Sequence, residues 1–425
     1  MKHSFDVIII GAGAAGLAAA RELSGAGKSV AVLEARSRIG GRIWTTHFPD
    51  LPLPIELGAE FIHGQARETL AIVQAAALVA YQLPDDHWWS AQGKMSRIHD
   101  FWRSMQRLLQ RIPSGAHDIS FAEFLDSQRN LSLRLRKLAL AFVEGYHASH
   151  ADRISAASLR ASGDEEEGQR QFRIANGYDA VLQWLRAGID PQRSEMRLGT
   201  EVTEVRWKRG EVAVQTRGGE VFRASAAVIT IPLGVWKASD GIVFEPPLRD
   251  KQRAIEKLEV GHVVRIVVRF RERFWEEDGN QRLFVHSAAD RFMTTWWTTA
   301  PVRAPLLTGW AGGHKADTLL AEGTAAISDR ALDSLASTFG RKRREIDALV
   351  DSVHMHDWQA DPFSRGAYSY TGVGGQRAHA ALATPVAGTL FFAGEATSSD
   401  ETGTVSGAIV TGKRAAKEVR QGIMP

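Results

Sequence analysis

The chain has 425 residues, 44% apolar and 24% charged, the balance of a folded protein too long for one ordinary core. Its 52 Lys and Arg stand against 49 Asp and Glu, a formal net charge of +3, so composition gives no case for a nucleic-acid partner. The absence of cysteine excludes disulfides, thiolate metal sites and cysteine nucleophiles, and fits a reducing, cytoplasmic setting as an expectation.

Lys2 and His3 ahead of FDVIIIGAGAAGLAAA could open a leader peptide, but Asp6 and three spaced glycines argue for structure instead. DVIII reads as a buried parallel strand, GAGAAG as a turn, LAAARELSGAG as a helix ended by Gly25 and Gly27, and SVAVLEA as a second strand: one βαβ unit. From Glu68 to Gly188 the pattern is read as mainly helical. Strands return in TEVTEVRWKRGEVAVQT, a hairpin about Arg209-Gly210, and in EVFRASAAVITIP, GHVVRIVVRF, RFMTTWWTTA and APLLTGWAGG. A helix in SDRALDSLASTFG, a strand in TLFFAGE and a helix in SGAIVTGKRAAKEV close the chain. The acidic run Asp164–Glu167 and the basic run Arg341–Arg344 read as solvated surface. No apolar run is long enough to span a bilayer, so no membrane partner is expected.

Gly11, Gly13 and Gly16 form GxGxxG between the first strand and helix, with Ala14 and Ala15 inside the motif. The first glycine permits the turn, the second lets backbone approach a pyrophosphate, and the third lets helix pack on strand. The helix N-terminus offers free N–H groups and positive partial charge to phosphate. Glu34 ends the second strand, where a carboxylate can accept from ribose hydroxyls. Ala35 and Arg36 follow, then Gly40, Gly41 and Arg42, an arginine beside two glycines that can reach phosphate closely. Near the other end, FFAGEAT carries Gly394 and Glu395. A long dinucleotide touching both ends of the chain points to FAD rather than NAD.

The sequence resembles the flavin-containing amine oxidase family: monoamine oxidases, polyamine oxidases and lysine-specific histone demethylases. The matching text is DVIIIGAGAAGLAAARELSGAGKSVAVLEARSRIGGRIWT, IELGAEFIHG, FVEGYHASHADRISAASL, VITIPLGV, DPFSRGAYSY and LFFAGEATSSDETGTVSGAIVTGKRAA, in family order. The resemblance implies an α/β fold: a discontinuous Rossmann-like FAD-binding domain with an inserted α+β substrate domain. The strands near residues 200–231 and 390 are expected to join the N-terminal sheet. The expected division is then 1–80, 191–245 and 361–425 for FAD binding, with a mainly helical 81–190 and 246–360 for substrate.

By resemblance, Gly11, Gly13, Gly16, Glu34, Arg36, Gly41 and Arg42 match nucleotide-binding residues, and Val202 matches a backbone contact near the adenine. Gly394, Glu395 and Val405 match C-terminal flavin contacts. Gly58, Ala59 and Glu60, followed by Phe61, match the segment passing the isoalloxazine. Trp358 and Tyr368 match aromatic residues on the substrate side of the flavin, and His63 matches a position near the substrate amine. The implied chemistry is hydride transfer from the carbon beside a neutral amine nitrogen to flavin N5, giving an imine and then a carbonyl. Oxygen is the expected acceptor and hydrogen peroxide the product. No metal is expected, and a homodimer is compatible with this reading.

Three departures from the family pattern matter. The family's lysine, which holds a water near flavin N5, is matched to Arg303 in PVRAPLL, which puts oxygen reactivity in question. Thr404 stands where monoamine oxidases carry a second tyrosine, a position that implies both a reaction-site and a flavin-contact role. Ala367 stands where monoamine oxidases attach FAD to cysteine, so FAD is expected to be non-covalent. Arg67, Glu60 and Glu144 are the charges whose placement would bear on an acidic or polyamine ligand. Two other readings stay open: a flavin desaturase or dehydrogenase acting on C–C bonds, and a flavoprotein with little oxidase activity because of Arg303.

Overall fold

β-Branched residues dominate the strand Ser4–Ile10 (β1), whose Val7, Ile8 and Ile9 have no exposed surface. In this computed structural model, which describes residues 4–91, 93–115, 117–162, 170–276, 279–287 and 292–422, β1 lies at the centre of an eight-stranded sheet. It runs parallel to Val30–Leu33 (β2), with Val7 opposite Val30, and parallel to Val221–Ile229, with Ile10 opposite Ile229. Ser194–Arg197 extends the sheet beyond β2. On the other side come the hairpin Val202–Lys208/Glu211–Thr216, about Arg209-Gly210 as read from sequence, and then Val243–Glu245. Leu390–Phe392 also pairs with Val221–Ile229, so the last strand of the chain joins the sheet that the first began.

The helix Ala14–Gly25 (α1) is sheathed in alanine on its buried face, which lets a second helix approach closely. That helix is Val405–Gly422; a side chain at its Gly412 would stand 2.2 Å from the Ala15 carbonyl oxygen. The two ends of the chain are therefore packed backbone to backbone.

A second sheet of seven strands runs in the order Val350–Met355, Val263–Phe270, Leu306–Gly312, Thr295–Trp297, Phe284–His286, His87–Ala91, Lys94–Ile98. One face packs Ile266, Val268 and Trp296 against Ile327 and Leu335 of the helix Thr324–Phe339. Helices Phe101–Leu109, Phe121–Ser127, Leu133–Tyr146 and Ala156–Ser162 gather around Phe121, Phe124 and Val143. From Glu68 to Gly188 the chain is mainly helical, as read, but not wholly so. It also holds the hairpin His87–Ala91/Lys94–Ile98 and the strand Gln171–Ile174, the latter pairing with Phe61–His63 and Ala80–Gln82. Cross-sheet pairing with distant strands, Phe284–His286 for the hairpin, overrides local periodicity there. The run Asp164–Glu167 lies outside the described residues. Among the described residues, no helix is long and apolar enough to cross a membrane.

Candidate active site

The turn between β1 and α1 is fixed by sterics. Gly11 has φ +105°, and any side chain on it would meet the Thr230 hydroxyl at 2.7 Å. A side chain on Gly16 would lie 2.0 Å from the Gly11 carbonyl oxygen. Thr230, at the end of the neighbouring strand, donates its hydroxyl to the carbonyls of Ile10 at 2.8 Å and Gly11 at 3.3 Å. The buried Glu34 carboxylate accepts the Ala12 N–H at 2.7 Å through Oε2 and the Arg36 N–H at 2.8 Å through Oε1.

This turn opens into a continuous cavity of about 1570 Å³. That is larger than the roughly 300–1,000 Å³ of a pocket for one small ligand. The lining includes Gly11, Gly13, Ala14, Ala15, Glu34, Ala35, Arg36, Gly40, Gly41 and Arg42 from the first part of the chain. Gly58, Ala59, Glu60, Phe61, His63 and Val202 follow, then Trp358, Tyr368, Gly394, Glu395, Thr404 and Val405. Gly16 sits behind the turn, not on the lining. Backbone at Gly13 and Gly394 faces open space, with no atom within 4 Å of where a side chain would begin. A cradle with an α-helix N-terminus on its wall, a buried carboxylate beside it and a second glycine across the cavity fits a dinucleotide.

The two chain ends meet along this wall. Arg42 donates to Glu395 Oε1 at 2.8 Å and to the Ala367 carbonyl. Burial alone would raise the Glu395 carboxyl, but Arg42 and the Ser369 hydroxyl, at 2.6 Å, hold it below the usual range. Arg36 is held by Asp361 at 2.6 Å and by the Ser364 hydroxyl at 2.8 Å. Thr404 reaches the cavity, but its hydroxyl accepts the Gly407 N–H at 2.9 Å and donates to the Glu401 carbonyl at 2.8 Å, so it caps the last helix. Trp358 is buried and donates its indole N–H to the Leu57 carbonyl at 2.9 Å, beside Gly58. Tyr368 donates its hydroxyl to the Tyr146 carbonyl at 2.7 Å, and burial pushes its phenol far above the ordinary value.

Beyond Glu60 and Tyr368 the cavity becomes a chamber of rings. Phe61 contacts His63, Phe284 and Trp297. Tyr146 contacts His63, Trp102, Phe142 and His147. Burial lowers His63 and His286 to about 4, and burial with the neighbouring His63 lowers His147 to about 4. Burial pushes Tyr146 up to about 12. All these groups are neutral near pH 7. The fixed charges sit at the chamber's edge. Glu60 receives Arg173 at 2.6 Å on Oε1, and Arg265 at 2.5 Å and the Trp297 indole N–H at 3.1 Å on Oε2. Burial would raise Glu60, but the two arginines hold it below the usual carboxylate range.

Arg303 requires a correction. It lies outside the cavity, with its side chain 56% exposed and ion-paired to Glu276 at 2.5 Å. An arginine that does reach the cavity beside the ring chamber is Arg265, in the strand Val263–Phe270. Sequence reading passed over it, yet the signal was present: an arginine within VVRIVV cannot be buried without an acidic partner. Thr230 and the chamber residues Trp102, Phe142, Tyr146, His147 and Trp310 were also passed over. Glu144 is not on the cavity lining. Arg67 reaches the lining and donates to Gln65, 3.1 Å from Nε.

The model of the family "Flavin containing amine oxidoreductase" matches residues 14–420. Polyamine oxidase 3 of Oryza sativa subsp. japonica is 32% identical over 466 aligned positions, spanning 100% of this chain and 90% of that protein. Lysine-specific histone demethylase 1 homolog 3 of Arabidopsis thaliana is 29% identical across 97% of this chain, which corresponds to 30% of that longer protein. Among solved structures, cyclohexylamine oxidase from Brevibacterium oxydans IH-35A superposes with a TM-score of 0.83 at 24% identity, over 98% of this chain and 99% of its own. Putrescine oxidase bound to putrescine superposes with a TM-score of 0.82 at 22% identity, over the same shares. These likenesses establish the fold; the family match and the rice relative establish the kinship. The chain belongs to the flavin containing amine oxidoreductase family and is an FAD-dependent amine oxidoreductase.

Proposed function

We propose that the protein oxidises the carbon beside the nitrogen of a neutral amine and passes the electrons to oxygen. Overall, the amine loses two electrons and two protons to become an imine. Water then cleaves the imine to a carbonyl and ammonia or a smaller amine. Oxygen takes up two electrons and two protons as hydrogen peroxide. FAD, when bound, supplies the two-electron acceptor.

Glu34, the α1 N-terminus, Arg42 and the Gly394 turn would hold the cofactor. Trp358 and Tyr368, both on the cavity lining, would exclude water and orient the substrate. The observation that carries the reading is that one cavity joins a dinucleotide cradle to a chamber whose own titratable groups are neutral. A neutral imidazole such as His63 can accept a hydrogen bond from an amine and does not repel it.

The test is to purify the protein, record flavin absorbance near 450 nm, and add amines without oxygen. Bleaching by amines, followed by peroxide release on admitting oxygen, is the expected result. Bleaching only by substrates that lose hydrogen across a C–C bond would replace this reading with a desaturase.

A further inference from the structure

The charge pattern of the ring chamber speaks to what kind of amine it takes; this step rests on the amine reading above. Glu60, on the cavity lining, touches the ring network through Trp297, and both its oxygens are taken by arginines; Asp85, off the lining, reaches the network from behind through His87 at 3.3 Å. Arg265 and Glu60 on the lining, with Arg173 behind them against Phe61, together carry a net charge of +1. Five other carboxylates on the cavity are engaged: Glu34 with the Ala12 N–H, Glu395 with Arg42, Glu68 with Lys413 at 2.5 Å, Glu201 with Arg217 and Asp240 with Arg365. Asp400 and Glu401 line the cavity from the C-terminal segment that carries Thr404 and Val405; Glu401 Oε2 is buried without a hydrogen-bond partner among the described residues, near Tyr178 in the core around the first helix.

A ring face can also hold an ammonium without a carboxylate. Here two of the faces nearest the charged edge are already in use. The Arg173 guanidinium lies 5.3 Å from the centre of Phe61, and that of Arg265 lies 5.4 Å from Trp297. The histidines of the chamber, His63, His87, His147 and His286, are kept neutral by burial and offer no anion.

We propose that the chamber selects an apolar monoamine, one nitrogen on an aromatic, alicyclic or aliphatic body, over diamines and polyamines. The nitrogen sits toward Tyr368 and the cradle, and the hydrocarbon body packs among Phe61, Phe142, Tyr146 and Trp297. A diamine would bring a second ammonium into a buried space where the fixed charge is cationic, which is strongly unfavourable without an acidic partner.

The experiment uses the flavin-loaded protein and matched amines of equal carbon number: hexylamine against 1,6-diaminohexane, with cyclohexylamine, benzylamine and spermidine alongside. The rate constant for anaerobic flavin bleaching divided by the apparent Kd is measured for each. The expected result is a monoamine advantage of about 100-fold or more within the matched pair. A diamine within tenfold of its monoamine, or better than it, overturns the proposal while leaving amine oxidation intact. Silence from every amine overturns both, and is told apart because the monoamines then fail too. His63→Glu places a carboxylate in the chamber and, in protein that retains its flavin absorbance, should narrow the ratio tenfold or more. An unchanged ratio in flavin-loaded H63E would put the body of the substrate elsewhere and overturn the assignment.

Discussion

Arg265 and Glu60 meet at 2.5 Å, 205 positions apart in the chain, where the dinucleotide cradle gives way to the ring chamber. Arg265 also donates through Nε to the Glu56 carbonyl at 2.7 Å, so one guanidinium ties the segment Glu56–Glu60 to the second sheet. Arg265→Met should leave a buried carboxylate with one cation in place of two, costing roughly 3–5 kcal/mol in denaturant unfolding. Arg265→Lys keeps the charge but not both donations, and should lose less. Equal stability of R265M and the parent would remove the pair from the account.

Arg303 should be dispensable for the reaction. Its side chain is exposed and its partner Glu276 lies outside the cavity. Arg303→Lys and Arg303→Ala are expected to stay within about 0.5 kcal/mol of the parent, with unchanged peroxide release. A large gain in peroxide release by R303K would contradict the placement of this residue.

The glycine turn offers a sharper test of the cofactor site. Gly16→Ala would drive a methyl group to within 2.0 Å of the Gly11 carbonyl oxygen, so helix and turn must separate. Loss of about 3 kcal/mol or more, and of most bound flavin, is expected. Glu34→Ala should weaken flavin retention more than it weakens the fold, because the Ala12 N–H it leaves behind sits in the cradle itself. The ratio of absorbance at 450 nm to that at 280 nm in purified protein reads both effects.

Glu56 sets a pH dependence of stability. Burial pushes its carboxyl up to about 8, against the pull of the Thr45 hydroxyl and the Tyr178 N–H, each at 2.7 Å. The native state therefore holds a proton that the unfolded chain gives up near 4.5. Its contribution is fully present below that pH, fades as pH rises toward 8, and levels off above it. Glu56→Gln should flatten this decline in urea midpoints taken between pH 6 and 9. A mutant whose midpoint falls as steeply as the parent's would show that another group carries the slope.

His63 should leave no mark on the neutral-to-alkaline kinetic profile. It titrates at about 4, so its charge is already gone where amines begin to deprotonate. The rising limb of kcat/KM is expected to follow the pKa of the substrate amine, and to persist in His63→Gln. A limb that vanished in H63Q, or stayed fixed across amines of different basicity, would return the titration to the protein.

What the sequence made legible is what neighbours in sequence decide. Residues 4–33 announce strand, turn, helix and strand because a turn next to a helix leaves few alternatives to glycine at Gly11 and Gly16. Arg42 and Glu395 were marked separately, each by its motif, but only the fold joins them. Arg265 stayed hidden because its partner comes from a segment that nothing local connects to it. Most of the ring chamber was equally invisible: Trp102, Phe142, Tyr146 and Trp297 come from two helices and a strand, and each alone reads as ordinary core. The hairpin His87–Ile98 was lost for a similar reason, since its second partner lies near residue 285.

The close seating of the last helix on the first has a consequence for biosynthesis. Arg42 waits for Glu395, which is 353 positions later, and the helix Val405–Gly422 must slide Gly412 against Ala15 before that wall is complete. A nascent chain still tethered to the ribosome at those residues presents the amino-terminal half of the nest without its lid. The complete nest is therefore expected to form only once the segment through Gly422 has been synthesised and has docked on the first helix.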